Sequence, residues 1–350
     1  MWPAPKIQLN PANTVRLYCA RGNTCDAALA ICARLGDNRE THLATLPPLT
    51  NTMSSLAPRY RIGLIANRAH QDAPDSALVQ LLTGSRHRIE ALQPELIVVG
   101  RTLDAIEQMQ LLPGYRHLVR FPYGRQGGLM KLVSRTVDPD PERTLDAVIY
   151  LIDPVDPSSA FPEAVALKRQ CVIHGKPFLS TLAGAQEWFE LESLDTGAAP
   201  DSALDHRFDL KQESIALIAH DSMKQRMLAL AEKHFDLLDR FAFRCATGTT
   251  GGLLNELAAK IKGEAGRNWV RPFLSGPLGG DAQIAELILE RQCRRVLFLE
   301  DPHVARQHEA DIQLLERAAR TVTDYASCMS DVKWGDRWLS LIAARAGSGR

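Results

Sequence analysis

No excess of charge, no paired cysteines and no long apolar run mark this sequence of 350 residues. Lysine plus arginine balances aspartate plus glutamate at 41 each. No global field therefore draws the chain to nucleic acid or an anionic membrane, and any anion it binds must be held by local groups. The seven cysteines (Cys19, Cys25, Cys32, Cys171, Cys245, Cys293, Cys328) are odd in number and scattered, with no C-x-x-C pair. That argues against a disulfide framework or structural zinc site and for a reducing, cytoplasmic compartment. No stretch reaches the roughly eighteen consecutive apolar residues of a membrane span. The start, Met1-Trp2-Pro3-Ala4-Pro5-Lys6, lacks the charged beginning and apolar core of a secretion signal.

What is present is a globular composition, 45% apolar and 23% charged, in a chain long enough for two domains. In the C-terminal half, short polar motifs follow strand-like apolar runs four times. His220-Asp221-Ser222-Met223-Lys224 follows residues 215–219, and Thr247-Gly248-Thr249-Thr250 follows 243–246. Ser275-Gly276-Pro277-Leu278-Gly279-Gly280-Asp281 follows 271–274, and Asp301-Pro302, with His308 beyond, follows 296–299. After each, apolar residues recur at helical spacing: Met223, Met227 and Leu230; Leu253, Leu254, Leu257 and Ile261; Ile284, Leu287 and Ile288; then a helix over 313–320. Strand–turn–helix units of this kind imply an α/β fold with a parallel sheet between helices, whose strand ends share one ligand-binding crevice.

Residues 194–211, carrying Gly197, Pro200 and several Asp and Ser, read as a linker. The domain boundaries expected are 1–195, a linker at 196–211, and 212–350. Internal similarity supports two tandem Rossmann-like (flavodoxin-like) three-layer domains, each a parallel sheet flanked by helices. Residues 62–67 match 215–220, 121–129 match 273–281 without a gap, and 149–154 match 297–302. The polar positions differ: Asn67 opposes His220, Arg68 opposes Asp221, Gln71 opposes Lys224, Leu129 opposes Asp281 and Ala160 opposes His308. Thr247–Thr250 face Gly100–Leu103 in this register. The N-terminal half reads as a degenerate, non-catalytic copy.

Each motif has an ordinary alternative. A Gly-Gly-Asp before a helix is more often a cap than a base. Thr247 through Thr250 could be a simple strand-to-helix turn, although their amides, hydroxyls and positive helix end suit a phosphate. Most helix lysines are solvated, and single histidines are mostly structural, although histidine titrates near neutrality. His303, His308, Asp301 and Asp311 lack the spacing of a metal site, so no metal is expected.

Together the motifs are more specific than any one alone. The strings IALIAHDSMKQ, ATGTTGGLL and LSGPLGGDAQI, then a strand ending in Asp-Pro with a histidine seven residues beyond that aspartate, resemble methylglyoxal synthase over roughly residues 213–320. The loop between the second and third strings is longer than in that family. The resemblance implies conversion of dihydroxyacetone phosphate to methylglyoxal and inorganic phosphate, without a cofactor. It implies Asp281 as the base and His308 and His220 on the substrate oxygens. Lys224, Thr247, Gly248, Thr249, Thr250, Ser275 and Gly276 would cradle the phosphate, and Asp221, Asp301 and Asp311 would tune the charged groups. It implies a homo-oligomer, with phosphate as product and inhibitor. The family's C-terminal phosphate-binding arginine has Arg337 and Arg345 as its candidates here. The other reading is a sensor of this fold that binds phosphate or a sugar phosphate without turnover.

Overall fold

The computed structural model describes residues 8–9, 15–16, 60–71, 73–303 and 309–347. The chain divides into two compact units, Met1–Ser55 and Leu56–Arg350. In the first, β1 (Gln8–Leu9) and β2 (Val15–Arg16) pair antiparallel.

The second unit contains two five-stranded sheets. The first runs through β3 (Arg61–Ala66), α1 (Ala77–Gly84), α2 (Arg86–Leu92), β4 (Glu95–Val99), α3 (Gly100–Gln108) and β5 (Leu118–Phe121). It continues through α4 (Gly128–Thr136), β6 (Ala147–Leu151), α5 (Pro162–Ile173), β7 (Phe178–Leu179) and α6 (Leu182–Asp195). The second runs through β8 (Ser214–Ala219), α7 (Lys224–Lys233), α8 (Phe235–Leu238), β9 (Phe243–Ala246), α9 (Gly248–Lys262) and β10 (Arg271–Pro272). It ends with α10 (Gly280–Leu289), β11 (Arg295–Leu299), α11 (Glu309–Thr321), β12 (Ser327–Met329) and α12 (Val332–Gly347).

The strand orders are β5-β4-β3-β6-β7 and β10-β9-β8-β11-β12, and every neighbouring pair in both sheets is parallel. Each sheet therefore starts at its centre, grows one way for two strands, and crosses back to add two on the other side. The chain reverses direction of growth between β8 and β11, the place where open α/β sheets bind ligands. The continuous apolar runs of β8 and β6 follow from burial on both faces. Side chains alternate: Ile215 and Leu217 enter one cluster, Ala216 and Ile218 another.

The first of these clusters is shared. Ile62 and Leu64 of β3 pack into the same core as Ile215 and Leu217, around Trp188, Phe189 and Trp338. Helix α6, buried along almost its whole length, supplies this centre. It also carries three buried glutamates. Glu187 pairs with Arg295 at 2.8 Å, Glu190 with Arg88 at 2.6 Å and Arg345 at 2.9 Å, and Glu192 with Arg337 at 2.6 Å. At the sheet edges, Thr181 Oγ1 donates to the Ala326 carbonyl at 2.7 Å and the Ala183 amide to the Thr323 carbonyl at 2.8 Å. Residues 196–211 join the two sheets; Phe208 and Leu210 are buried, and the Arg207 carbonyl accepts from Arg295 at 2.6 Å.

Among the described residues no helix is long and apolar enough to cross a membrane. The thiols of Cys171, Cys245, Cys293 and Cys328 are free.

Candidate active site

The chain leaves β8 at Ala219 and turns at His220, whose amide donates to the Leu299 carbonyl of β11 at 3.1 Å. The Asp301 amide donates to His220 Nδ1 at 2.9 Å. An amide can only donate, so Nδ1 presents a lone pair and the proton of the neutral ring sits on Nε2. The ring also meets Phe298 edge-on, with centroids 4.8 Å apart. The carboxylate of Asp301 ties two turns together: Oδ2 accepts from Ser222 Oγ, in the turn after β8, at 2.5 Å and Oδ1 from the His303 amide at 2.9 Å. The imidazole is thus fixed in tautomer and orientation by a turn that is itself tied down.

Beside it, the loops after β9 and β10 press together. The Gly248 amide donates to the Leu274 carbonyl at 2.9 Å, and a Cβ at Gly248 would lie 3.0 Å from the Ser275 amide nitrogen. At Gly280 a Cβ would lie 1.8 Å from the Leu274 carbonyl oxygen, so no other residue fits. Gly279 makes the preceding turn with φ +99°. This turn delivers Asp281 into the first helical turn of α10, where it is buried. A Cβ at Gly276 would stand 2.8 Å from Asp281 Oδ2, so the loop's backbone borders the carboxylate.

Thr247 caps α9 through its backbone geometry, without a side-chain cap bond. Thr249 is exposed, and the buried Thr250 Oγ1 has no hydrogen-bond partner among the described residues. Ser275 likewise makes no side-chain cap bond. A buried hydroxyl left without a partner among the described residues, beside the positive end of α9, suits an anion.

Lys224 Nζ lies 2.6 Å from Asp221 Oδ1, and that contact holds the Asp221 carboxyl below its usual range. The Asp221 side chain is 95% exposed, so its partner is the lysine and not the crevice. The structure thus brings His220, Asp301, Ser275, Gly276, Asp281 and the Thr247–Thr250 turn to the ends of four adjacent strands. His308 lies outside the described residues, as does the Asp311 side chain, although α11 includes position 311. Arg337 and Arg345 are not in the crevice: both are spent on the glutamates of α6, with Arg345 also 2.5 Å from Asp205. Among the described residues no cluster of three or more His, Cys, Asp or Glu is arranged to hold a metal.

The same framework recurs at the ends of β3 to β6. The Asn67 amide donates to the Leu151 carbonyl at 2.9 Å, and Asn67 Oδ1 accepts the Asp153 amide at 2.9 Å. A Cβ at Gly128 would lie 2.1 Å from the Pro122 carbonyl, and Gly127 has φ +83°. Helix α3 starts at Gly100 as α9 starts at Gly248, and each glycine amide donates to a carbonyl of the loop after the next strand. Gly100 therefore corresponds to Gly248 and Thr102 to Thr250, one residue from the register expected from sequence. Only glycine admits the close approach of the neighbouring loop, and this requirement sets the register. Thr102 Oγ1 accepts from the Ala66 amide at 3.1 Å and Asn67 Nδ2 donates to Ser158 Oγ at 3.1 Å. These polar groups are bonded among themselves.

No family model matches the chain. A methylglyoxal synthase of Thermus thermophilus is 42% identical over 105 residues, which are 30% of this chain and 76% of that protein. The chain belongs to the methylglyoxal synthase family. A methylglyoxal synthase of Ralstonia nicotianae is 44% identical over 111 residues, 31% of this chain and 73% of that protein. A crystal structure of methylglyoxal synthase from Elizabethkingia anophelis aligns at 34% identity over 37% of this chain and 78% of that one, with a TM-score of 0.30. The methylglyoxal-synthase-like region thus makes up about a third of the chain.

Sequence reasoning missed the Asp301 amide as the group that orients His220, because a backbone donor leaves no trace in residue identity. It also missed Lys168 and Arg169 of α5. Lys168 Nζ lies 2.7 Å from Glu300 and 2.6 Å from Glu316, and Arg169 Nε donates to the Pro302 carbonyl at 2.8 Å. Burial pulls the Lys168 ammonium down, but the two carboxylates beside it outweigh that and hold its pKa above the usual lysine range. Helix α5 of the first sheet thereby grips the strand end that holds His220.

Proposed function

We propose that the C-terminal α/β lobe is a methylglyoxal synthase acting on dihydroxyacetone phosphate. The observation that carries this reading is that one set of strand ends holds both a buried carboxylate on a glycine-built turn, Asp281, and a neutral imidazole whose Nε2–H is set by the Asp301 amide. The Asp281 carboxylate takes a proton from the carbon beside the carbonyl, and the electron pair moves onto the carbonyl oxygen as an enediolate. A donor fixed in advance at that oxygen lowers the barrier, since it need not reorganise as charge develops. His220 Nε2–H supplies one such donor; His308 is the second expected from the family resemblance. The enediolate then expels phosphate: the carbon–oxygen bond breaks, its electron pair leaves with the phosphate, and the resulting enol becomes methylglyoxal. The α9 amino end, Thr250 and the Ser275-Gly276 turn hold the departing group. Triosephosphate isomerase, the standard example of a carboxylate and a neutral histidine sharing the first of these steps, follows the same logic.

The N-terminal lobe is then a non-catalytic relative of the C-terminal one. Identical strand order and the matched bonds of Asn67 and His220 support this reading, as does Leu129 where Asp281 would stand. Incubating the full chain with dihydroxyacetone phosphate should release methylglyoxal and phosphate in equal amounts. Asp281→Asn should abolish release while leaving phosphate binding in place. A folded wild-type protein that binds phosphate without turnover would favour the sensor instead.

A further inference from the structure

A cavity of about 490 Å³ opens between the two lobes. Its walls include His174 and Gly175 from the end of α5, Arg226 of α7, His303 beyond β11, and Asp331 and Lys333 at the start of α12. Neither Asp281 nor the Thr247–Thr250 turn lines it, and Ser222 and Asp301, bonded to each other, are part of its wall.

The charges lining this cavity are unequally committed. Its acids are engaged: Asp301 by Ser222 and the His303 amide, Glu300 by Lys168, and Asp331 by the Trp334 amide at 2.7 Å. The side chains of His174, Arg226, His303 and Lys333 form no ion pair with a described residue, and all four are exposed toward the opening. The side-chain donors left over are therefore those of Arg226, Lys333 and the two histidines. A guanidinium, an ammonium and two imidazoles converging from both lobes offer the donor set that grips a phosphate group. The volume exceeds that of a bare ion and suits a small organic molecule.

We propose that this interlobe cavity binds a small phosphate monoester and that its occupancy is transmitted to His220. The route is short: His303 in the cavity wall donates its amide to Asp301 Oδ1, Arg169 holds the Pro302 carbonyl, and the Asp301 amide holds His220 Nδ1. A ligand that draws His303 and Arg226 together shifts the same turn that sets the imidazole. The binding half of this proposal is independent of the catalytic reading; the transmission half rests on it.

The test uses the full chain with ring-labelled histidine, its signals assigned by His→Gln variants, titrated with glycerol 3-phosphate at fixed pH and ionic strength. This monoester lacks a carbonyl and cannot turn over. The His174 and His303 signals should move together on one saturation curve, with the His220 signal following on that curve. Arg226→Ala combined with Lys333→Ala removes two exposed cations and should weaken that curve about tenfold or more. His174 and His303 signals that stay still, or that saturate equally in the double variant, would overturn the proposal. If these two respond and weaken as expected but His220 stays still, or moves on a separate curve that the double variant leaves unchanged (as direct binding at the Thr250 turn would give), the site stands and the transmission is rejected. Failure of the catalytic reading shows separately, as no methylglyoxal from dihydroxyacetone phosphate while the cavity signals still titrate.

Discussion

Asn67 and His220 hold equivalent amides in the two lobes: Asn67 Oδ1 accepts that of Asp153 and His220 Nδ1 that of Asp301, each at 2.9 Å. The N-terminal lobe thus shows that an asparagine can carry the structural half of the histidine's work. Its carboxamide cannot present the imidazole Nε2–H to a developing oxyanion from the same place. His220→Asn should therefore leave the melting temperature nearly unchanged and lower kcat about 10²-fold or more, the scale of a lost oxyanion donor. Assaying methylglyoxal release alongside thermal unfolding separates the two effects. Equal losses in both would mean that His220 is structural.

Gly276 and Gly280 are both required, for different reasons, and alanine should separate them. At Gly276 the added methyl meets Asp281 Oδ2, the movable end of a side chain, at 2.8 Å. Displacing that carboxylate by a fraction of an ångström misaligns proton abstraction, so Gly276→Ala should cut kcat about 10²-fold with little change in stability. At Gly280 the methyl meets a carbonyl oxygen at 1.8 Å, which cannot move without opening the turn. Gly280→Ala should lower the melting temperature as well as the rate. Gly124 corresponds to Gly276, and a methyl added there would meet nothing within 4 Å, so Gly124→Ala is the neutral control.

Much of this arrangement is legible from the chain alone, because it depends on local rules. Unbroken apolar runs mark β8 and β11 as central parallel strands, and Gly279-Gly280-Asp281 marks a tight turn into a helix. What stays hidden is set by distant pairing. By sequence Arg337 and Arg345 are available for phosphate, yet their partners Glu192 and Glu190 lie about 150 residues away on α6. A signal is there: Glu187, Glu190 and Glu192 interrupt an apolar helix also holding Trp188, Phe189 and Leu191, and buried carboxylates need cations. Residues 196–211 have the composition of an open linker and are mostly exposed, with Phe208 and Leu210 alone buried among them.

The Arg295–Glu187 pair lies wholly within the shared core and links β11 to α6. Glu187 also accepts from Trp338 Nε1 at 2.7 Å, and Arg295 also reaches Glu213 at 3.2 Å. Replacing Glu187 by alanine removes the nearer carboxylate of a buried guanidinium, leaving it Glu213 at 3.2 Å and the Arg207 carbonyl, and takes the partner of Trp338 Nε1 as well. Glu187→Ala should cost about 3–5 kcal/mol in a urea titration, the scale for breaking a buried pair from one side. A loss below about 1 kcal/mol, the range of an exposed pair, would show that the pair is hydrated.

Asp331 makes stability depend on pH. Burial pushes its carboxyl up from 3.8 to about 6, against the opposing pull of the Trp334 and Lys333 amides and the Lys333 charge. The folded state therefore binds this proton more tightly than the unfolded chain does. The stabilisation is fully present below the unfolded value of 3.8 and is lost as pH rises through about 6. A rise of this size corresponds to about 3 kcal/mol. Asp331→Asn keeps an oxygen to accept the Trp334 amide and has no proton to lose. It should be more stable than the wild type at about pH 7.5, above both values, and should lose that advantage by about pH 4. Urea midpoints of both proteins across this range would reveal the crossover, and parallel curves would show that Asp331 ionises without cost in the fold.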